Sequence, residues 1–161
     1  MFFCHGSKHS KGTVIMFNPS LDVEIIECTT SEKGRTIILE ARFDDTKFIF
    51  VNIYAPNDLT QQVKFFDSLK SKLVKFANES IIVGGDFNCA LTPSDKKGGY
   101  PIEKKGAAIS NICRILELKD AWRCMQMSHC LLGTISLPKS AADWTIFWSR
   151  ATSLIRYKNA R

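Results

Sequence analysis

The sequence predicts an α/β fold, a sheet layered with helices, from three observations. Its first half is a series of short apolar runs with strand character. Two later stretches repeat apolar residues at helical spacing. From residue 47 onward the two kinds alternate, strand, helix, strand, helix, which is the order that lays helices on a sheet.

The elements follow in turn. Thr13-Val14-Ile15-Met16-Phe17 is an apolar run stopped by Asn18-Pro19-Ser20, and Val23 to Cys28 is a second strand candidate. Lys33-Gly34 marks a turn. Arg35 to Phe43 and Lys47 to Tyr54 flank Asp44-Asp45-Thr46 as in a hairpin. Side chains alternate along a strand, so Ile49, Val51 and Ile53 share one face and Phe48, Phe50, Asn52 and Tyr54 the other. Both faces are largely apolar, which predicts a central strand covered on both sides. Ala55-Pro56-Asn57-Asp58 breaks it, and Asp58, with Gln61 three residues on, reads as a helix cap. Val63, Phe66, Leu69, Leu73 and Phe76 trace one helical face. Ser80 to Gly84 is a short buried strand, residues 92–100 a polar Gly-rich loop, and Ile109, Ile112, Cys113 and Leu116 a second helix after Lys104-Lys105. Thr145 to Trp148 is a last strand candidate.

Composition narrows the function classes. The 161 residues are a one-domain length, with 45% hydrophobic and 24% charged residues, which argues against disorder. The net charge is +6, a balance that suits a polyanionic partner such as nucleic acid. No apolar run approaches the roughly 20 residues of a membrane-spanning helix. The six cysteines form no C-x-x-C pair, and the start of the chain lacks the pattern of a signal peptide. Reduced intracellular thiols are therefore expected, with no disulfide-linked partner. Cys124, His129 and Cys130 are a weak metal cluster at best.

Two segments carry chemistry. Gly84-Gly85-Asp86-Phe87-Asn88 follows an apolar strand directly, and its glycines let the chain turn and a ligand approach the backbone. In an extended stretch Asp86 and Asn88 would project to one side. A carboxylate there can orient or deprotonate a water, while the amide holds a phosphoryl oxygen. A turn capped by the Asp and Asn side chains explains the same residues equally well. The second segment is Asn52-Ile53-Tyr54-Ala55-Pro56-Asn57, also at a strand end. Its Tyr hydroxyl can donate to a developing oxyanion, or its ring can simply pack in the core.

Taken together, Val51 to Asn57, a helix, and Ile81 to Asn88 resemble the middle of the endonuclease/exonuclease/phosphatase superfamily. The similarity is strongest to the apurinic-type endonuclease domain of non-LTR, LINE-type retrotransposons. Ser10 to Phe17 is similar to that family's Ser-Arg-Gly-Val-Ala-Ile-Leu-Phe segment, Glu32 to Arg35 to its link into the next strand, and Leu118, Asp120 and Trp122 to its Leu-x-Asp-x-Trp-Arg stretch. The likeness runs from about residue 7 to about residue 157, within a single partial domain spanning 1–161. It implies a four-layer α/β sandwich, two packed mixed or antiparallel sheets with outer helices, present here in part.

The resemblance implies roles. Tyr54 would help stabilise the pentacovalent phosphate, Asp86 would orient the attacking water, and Asn88 would bind the scissile phosphate. Asn57 is a candidate contact on the DNA side. Mg²⁺ is the implied cofactor, DNA the implied partner, a nick the implied product and the nucleus the implied compartment. Other departures bear on activity. The family's opening strands, which carry an Asn and the metal-binding Glu, have no counterpart in the matched region, so no metal ligand is assigned. Ser153-Leu154-Ile155-Arg156-Tyr157 fits the family's Ser-x-Ile-Asp-Tyr, with Arg156 where an Asp is expected and therefore a phosphate contact at most. The family's later Asp-His pair is unmatched by His5, His9 or His129. The implied enzyme is thus an impaired, Mg²⁺-dependent DNA endonuclease. The alternatives are an inactive nucleic-acid-binding relic or another phosphoesterase of the superfamily. Loss of flanking strands is expected to bare apolar sheet surface.

Overall fold

The computed structural model describes residues 1–6, 12–31, 33–89, 104–121 and 154–156. The predicted loop at 92–100, the strand candidate at 145–148 and the Cys124–Cys130 cluster lie outside the described residues. The strands are β1 (Phe2–Cys4), β2 (Thr13–Ile15), β3 (Glu24–Thr30), β4 (Thr36–Phe43), β5 (Thr46–Tyr54), β6 (Ser80–Asp86), β7 (Lys119–Asp120) and β8 (Leu154–Arg156). The helices are α1 (Leu59–Leu73), extended by a 3-10 turn over Val74–Phe76, and α2 (Lys104–Ile115).

The strands β1 and β2 form a small antiparallel sheet, and the other six form a mixed sheet in the order β3-β4-β5-β6-β8-β7. Within the large sheet β5 and β6 run parallel, joined by the α1 crossover, and the remaining described pairs are antiparallel. The β4–β5 hairpin closes more tightly than its sequence suggests. Thr46 pairs with Phe43, leaving a two-residue loop whose Asp44 sits at φ 49, a conformation Asp tolerates better than most residues.

The central position of β5 matches its period-two pattern. Ile49, Val51 and Ile53 join Phe66, Leu69 and Leu73 of α1 and Ile109, Ile112 and Leu116 around α2 in one apolar cluster. Phe48 and Phe50 enter a second cluster on the opposite face, with Ile37, Leu39 and Ala41 of β4. Phe2 and Ile15 of the small sheet, and Phe17, pack against that second cluster. Asn52 ties the layers by donating from Nδ2 to the Val14 carbonyl at 2.7 Å.

The described residues therefore build an α/β arrangement of helices, large sheet and small sheet, a partial form of the expected sandwich. The face of the small sheet turned away from the core carries Phe3 and Val14, both exposed, and Met16 just beyond β2 is exposed as well.

Local signals set the helices. The Asp58 side chain accepts from the Gln61 N–H at 2.9 Å, capping α1 as predicted. In α2, burial and the Asp120 carboxylate push the Cys113 thiol up to about 11, partly offset by a backbone hydrogen bond. That thiol stays protonated, and so a poor nucleophile, at neutral pH.

Candidate active site

Strands β5 and β6 deliver their carboxyl ends side by side, the edge where α/β folds commonly place reactive groups. Across this parallel pair Tyr54 is the register partner of Asp86. The ladder continues one step further, the Ala55 N–H donating to the Asp86 carbonyl at 2.8 Å.

Strand β6 runs two residues past its predicted end at Gly84, and Gly85 is the reason. It sits at φ +124, and a Cβ there would lie 2.0 Å from the Ile53 carbonyl oxygen and 2.6 Å from Asn52 Oδ1. The bare α-carbon thus lets β6 press against β5. The sequence pattern fits this glycine to a turn or to an approaching ligand, but a neighbouring strand fills the space.

Beyond Asp86 the chain leaves the extended state. Asn88 has φ 49, so Asp86 and Asn88 do not project together as neighbours on one strand face. Instead the Asp86 carboxylate accepts from the Asn88 N–H at 2.9 Å, an Asx-type turn. The Asn88 amide reaches across to the other loop, Nδ2 donating to the Ala55 carbonyl at 2.7 Å. A capped turn and a juxtaposition of polar groups are therefore the same structure. Asp86 is exposed, Asn88 half-buried, and Phe87 between them is buried in the core.

A residue that the sequence reading missed laces the two loops from behind. Gln62, on the inward face of α1, is fully buried. Its Nε2 donates to the carbonyls of Pro56 at 2.7 Å, Phe87 at 3.1 Å and Asn88 at 3.1 Å. Its Oε1 is buried and lacks a hydrogen-bond partner. The signal was present as a polar side chain four residues before Phe66 on the apolar stripe.

Arg35 supports the tyrosine. Its guanidinium stands 5.3 Å from the Tyr54 ring centroid and donates to the Tyr54 carbonyl at 3.1 Å. The Tyr54 N–H in turn donates to the Arg35 carbonyl at 2.8 Å. Asn57 is exposed beyond Pro56, at the same end of the sheet. Arg156 is placed elsewhere: its backbone pairs opposite Ile81, five positions back along β6 from Asp86. At strand rise this is about 16 Å from the carboxylate end.

The described residues hold no group of three His, Cys, Asp or Glu side chains arranged to bind a metal. Asp86 offers a carboxylate, whereas Mg²⁺ requires a near-octahedral set of oxygens. The described protein groups do not make that site by themselves.

No protein-family model matches the chain. Over 124 residues it is 28% identical to an uncharacterised 149 kDa protein of transposon TX1 from Xenopus laevis, covering 76% of this chain and 10% of that protein. The endonuclease domain of TRAS1, a telomere-specific non-LTR retrotransposon, aligns with a TM-score of 0.51 at 16% identity, over 86% of this chain and 57% of that one. A humanized D. rerio TDP2 aligns with a TM-score of 0.47 at 13% identity, over 83% and 49% of the two chains. The chain thus spans about a tenth of the transposon protein and little more than half of the TRAS1 domain. The chain shares the fold of a non-LTR retrotransposon endonuclease domain, and its sequence is similar to part of a transposon protein.

Proposed function

We propose that the chain carries one side of a DNA phosphodiester-hydrolysing site of retrotransposon type. The observation that carries this reading is the pairing of Tyr54 with Asp86 at the joined carboxyl ends of β5 and β6. The exposed Asp86 carboxylate is positioned to orient a water for in-line attack on phosphorus. Its bond from the Asn88 N–H fixes the carboxylate orientation while leaving the second oxygen for that water. Tyr54 supplies a hydroxyl donor to the charge that develops on the phosphate oxygens. Asn88 has one amide proton bonded to Ala55 and a second to offer a phosphate oxygen. Asn57 contacts the DNA strand at the rim. With DNA as the substrate, the nucleus is the proposed compartment.

Mg²⁺ is part of this proposal, because its chemistry would offset the phosphate charge that a lone carboxylate repels. With the described residues contributing no metal cluster, weak nicking is expected from the isolated chain. Supercoiled plasmid incubated with the chain and Mg²⁺ should yield nicked circles slowly, and excess EDTA should stop the reaction. Nicking at the same rate in EDTA would remove Mg²⁺ from the account.

A second reading is DNA binding without hydrolysis. It is favoured by the polar groups of Asp86 and Asn88 being engaged in the turn. Salt-sensitive binding with no nicked product in any divalent metal would select it.

A further inference from the structure

We propose that the groove between α1 and the β3–β4 turn is a track for the phosphate backbone of a DNA strand leading to the candidate site. The inference rests on the reading of the chain as acting on DNA, and adds where the strand lies. The groove has a volume of about 700 Å³ and is lined by Lys33, Arg35, Lys64, Phe65, Ser68 and Lys72 among others, with no Asp or Glu among the described residues of its lining.

Its geometry suits a strand better than a small anion. Lys64, Ser68 and Lys72 fall four residues apart on one ridge of α1, which sets the two lysines about 12 Å apart along the helix axis. That length faces several phosphates of one strand at about 3.4 Å of rise each. Phe65 is half-buried, with its edge against Phe66, and offers a ring beside the cations. Cations in line with an aromatic surface are a combination that holds a nucleic-acid strand without reading its sequence. The inner end of the groove reaches the site, because Pro56 also lines it and Arg35 contacts the Tyr54 ring and carbonyl.

A solvated cationic face is the competing explanation, and ion pairing shows which lysines have charge to spare. Lys70 pairs with Asp67, Lys75 with Glu40, and Lys47 with Glu40 and Glu79. Lys64 and Lys72 make no ion pair among the described residues, although both are exposed. Their charge is left for an external anion. The turn opposite is fixed rather than slack. Ser31 Oγ accepts from the N–H groups of Arg35 and Thr36 at 3.0 and 3.1 Å, which fixes the shape of that wall.

The test compares two charge reversals of equal size in the full chain, Lys64→Glu with Lys72→Glu, and Arg114→Glu with Lys119→Glu. Arg114 and Lys119 are exposed outside the groove lining. Binding of a short fluorescein-labelled DNA duplex, and of one of its strands, is followed by anisotropy across a salt series. Circular dichroism melts confirm that each variant is folded. The groove pair is expected to bind at least tenfold more weakly than the control pair. Its log K against log salt slope should fall by about 1.4 to 1.8, the loss of two phosphate contacts. Equal weakening by both pairs would reduce the effect to net charge and overturn the track, as would a wild-type chain that does not bind either DNA. Selective loss in the groove pair with no nicking by any variant would leave the track standing and remove the hydrolase reading.

Discussion

Gly85→Ala is expected to destabilise the chain by about 4 kcal/mol and to separate the two halves of the candidate site. The cause is geometric and double. At φ +124 an alanine would adopt a backbone conformation that costs an L-residue about 1–3 kcal/mol. Its Cβ would also lie 2.0 Å from the Ile53 carbonyl oxygen and 2.7 Å from the Ile53 nitrogen, both backbone atoms with no rotamer to change. The strands must part for the methyl to fit, and the ladder that sets Tyr54 beside Asp86 must break. Urea unfolding is the measurement. A Gly85→Ala chain within about 1 kcal/mol of wild type would show that β6 does not press on β5 as described.

Gln62→Leu has the second largest expected effect, and it acts on the site without touching the cutting edge. Leucine fills the buried volume but offers no donor, so the carbonyls of Pro56, Phe87 and Asn88 lose the Nε2 bonds. An orphaned buried acceptor costs about 1–3 kcal/mol. Removal of the unpartnered Oε1 returns part of that. The net is an expected loss of about 2–3 kcal/mol, with a larger loosening of the two loops than of the core. Hydrogen exchange separates the two: amide protection should fall for residues 55–57 and 86–88 before it falls for the centre of β5. Protection lost evenly through the sheet would make Gln62 a general core residue rather than a tie between loops.

Much of this arrangement is written in local pattern. The alternation in Thr46–Tyr54 assigns each side chain to the correct face because the period of a strand is two and both faces are filled. The stripe from Phe66 to Leu73 and the Asp58 cap are likewise short-range, and both are where the spacing puts them. What escaped is long-range. Strand β1 has three residues, and only its pairing with β2 makes it a strand. The double glycine looks like a turn until Ile53 is known to lie against it. Gln62 reads as a polar residue in a solvated first turn beside Gln61, because the three carbonyls that it serves come from elsewhere in the chain. The Asp86–Asn88 relation turned on one dihedral angle: an Asn at φ 49 converts neighbours on a strand into a capped turn. The paired motifs pointed to the fold, while the register and dihedrals determined how the groups meet.

The central claim is that Asp86, set beside Tyr54, is the group that activates water against a phosphodiester. Supercoiled plasmid treated in Mg²⁺ with wild-type chain and with Asp86→Ala, each matched for folding by its melt and for DNA affinity by anisotropy, tests it most directly. The account predicts slow nicking by the wild type and a loss of about 100-fold or more in the variant, at unchanged affinity. Equal nicking by the two chains would contradict it.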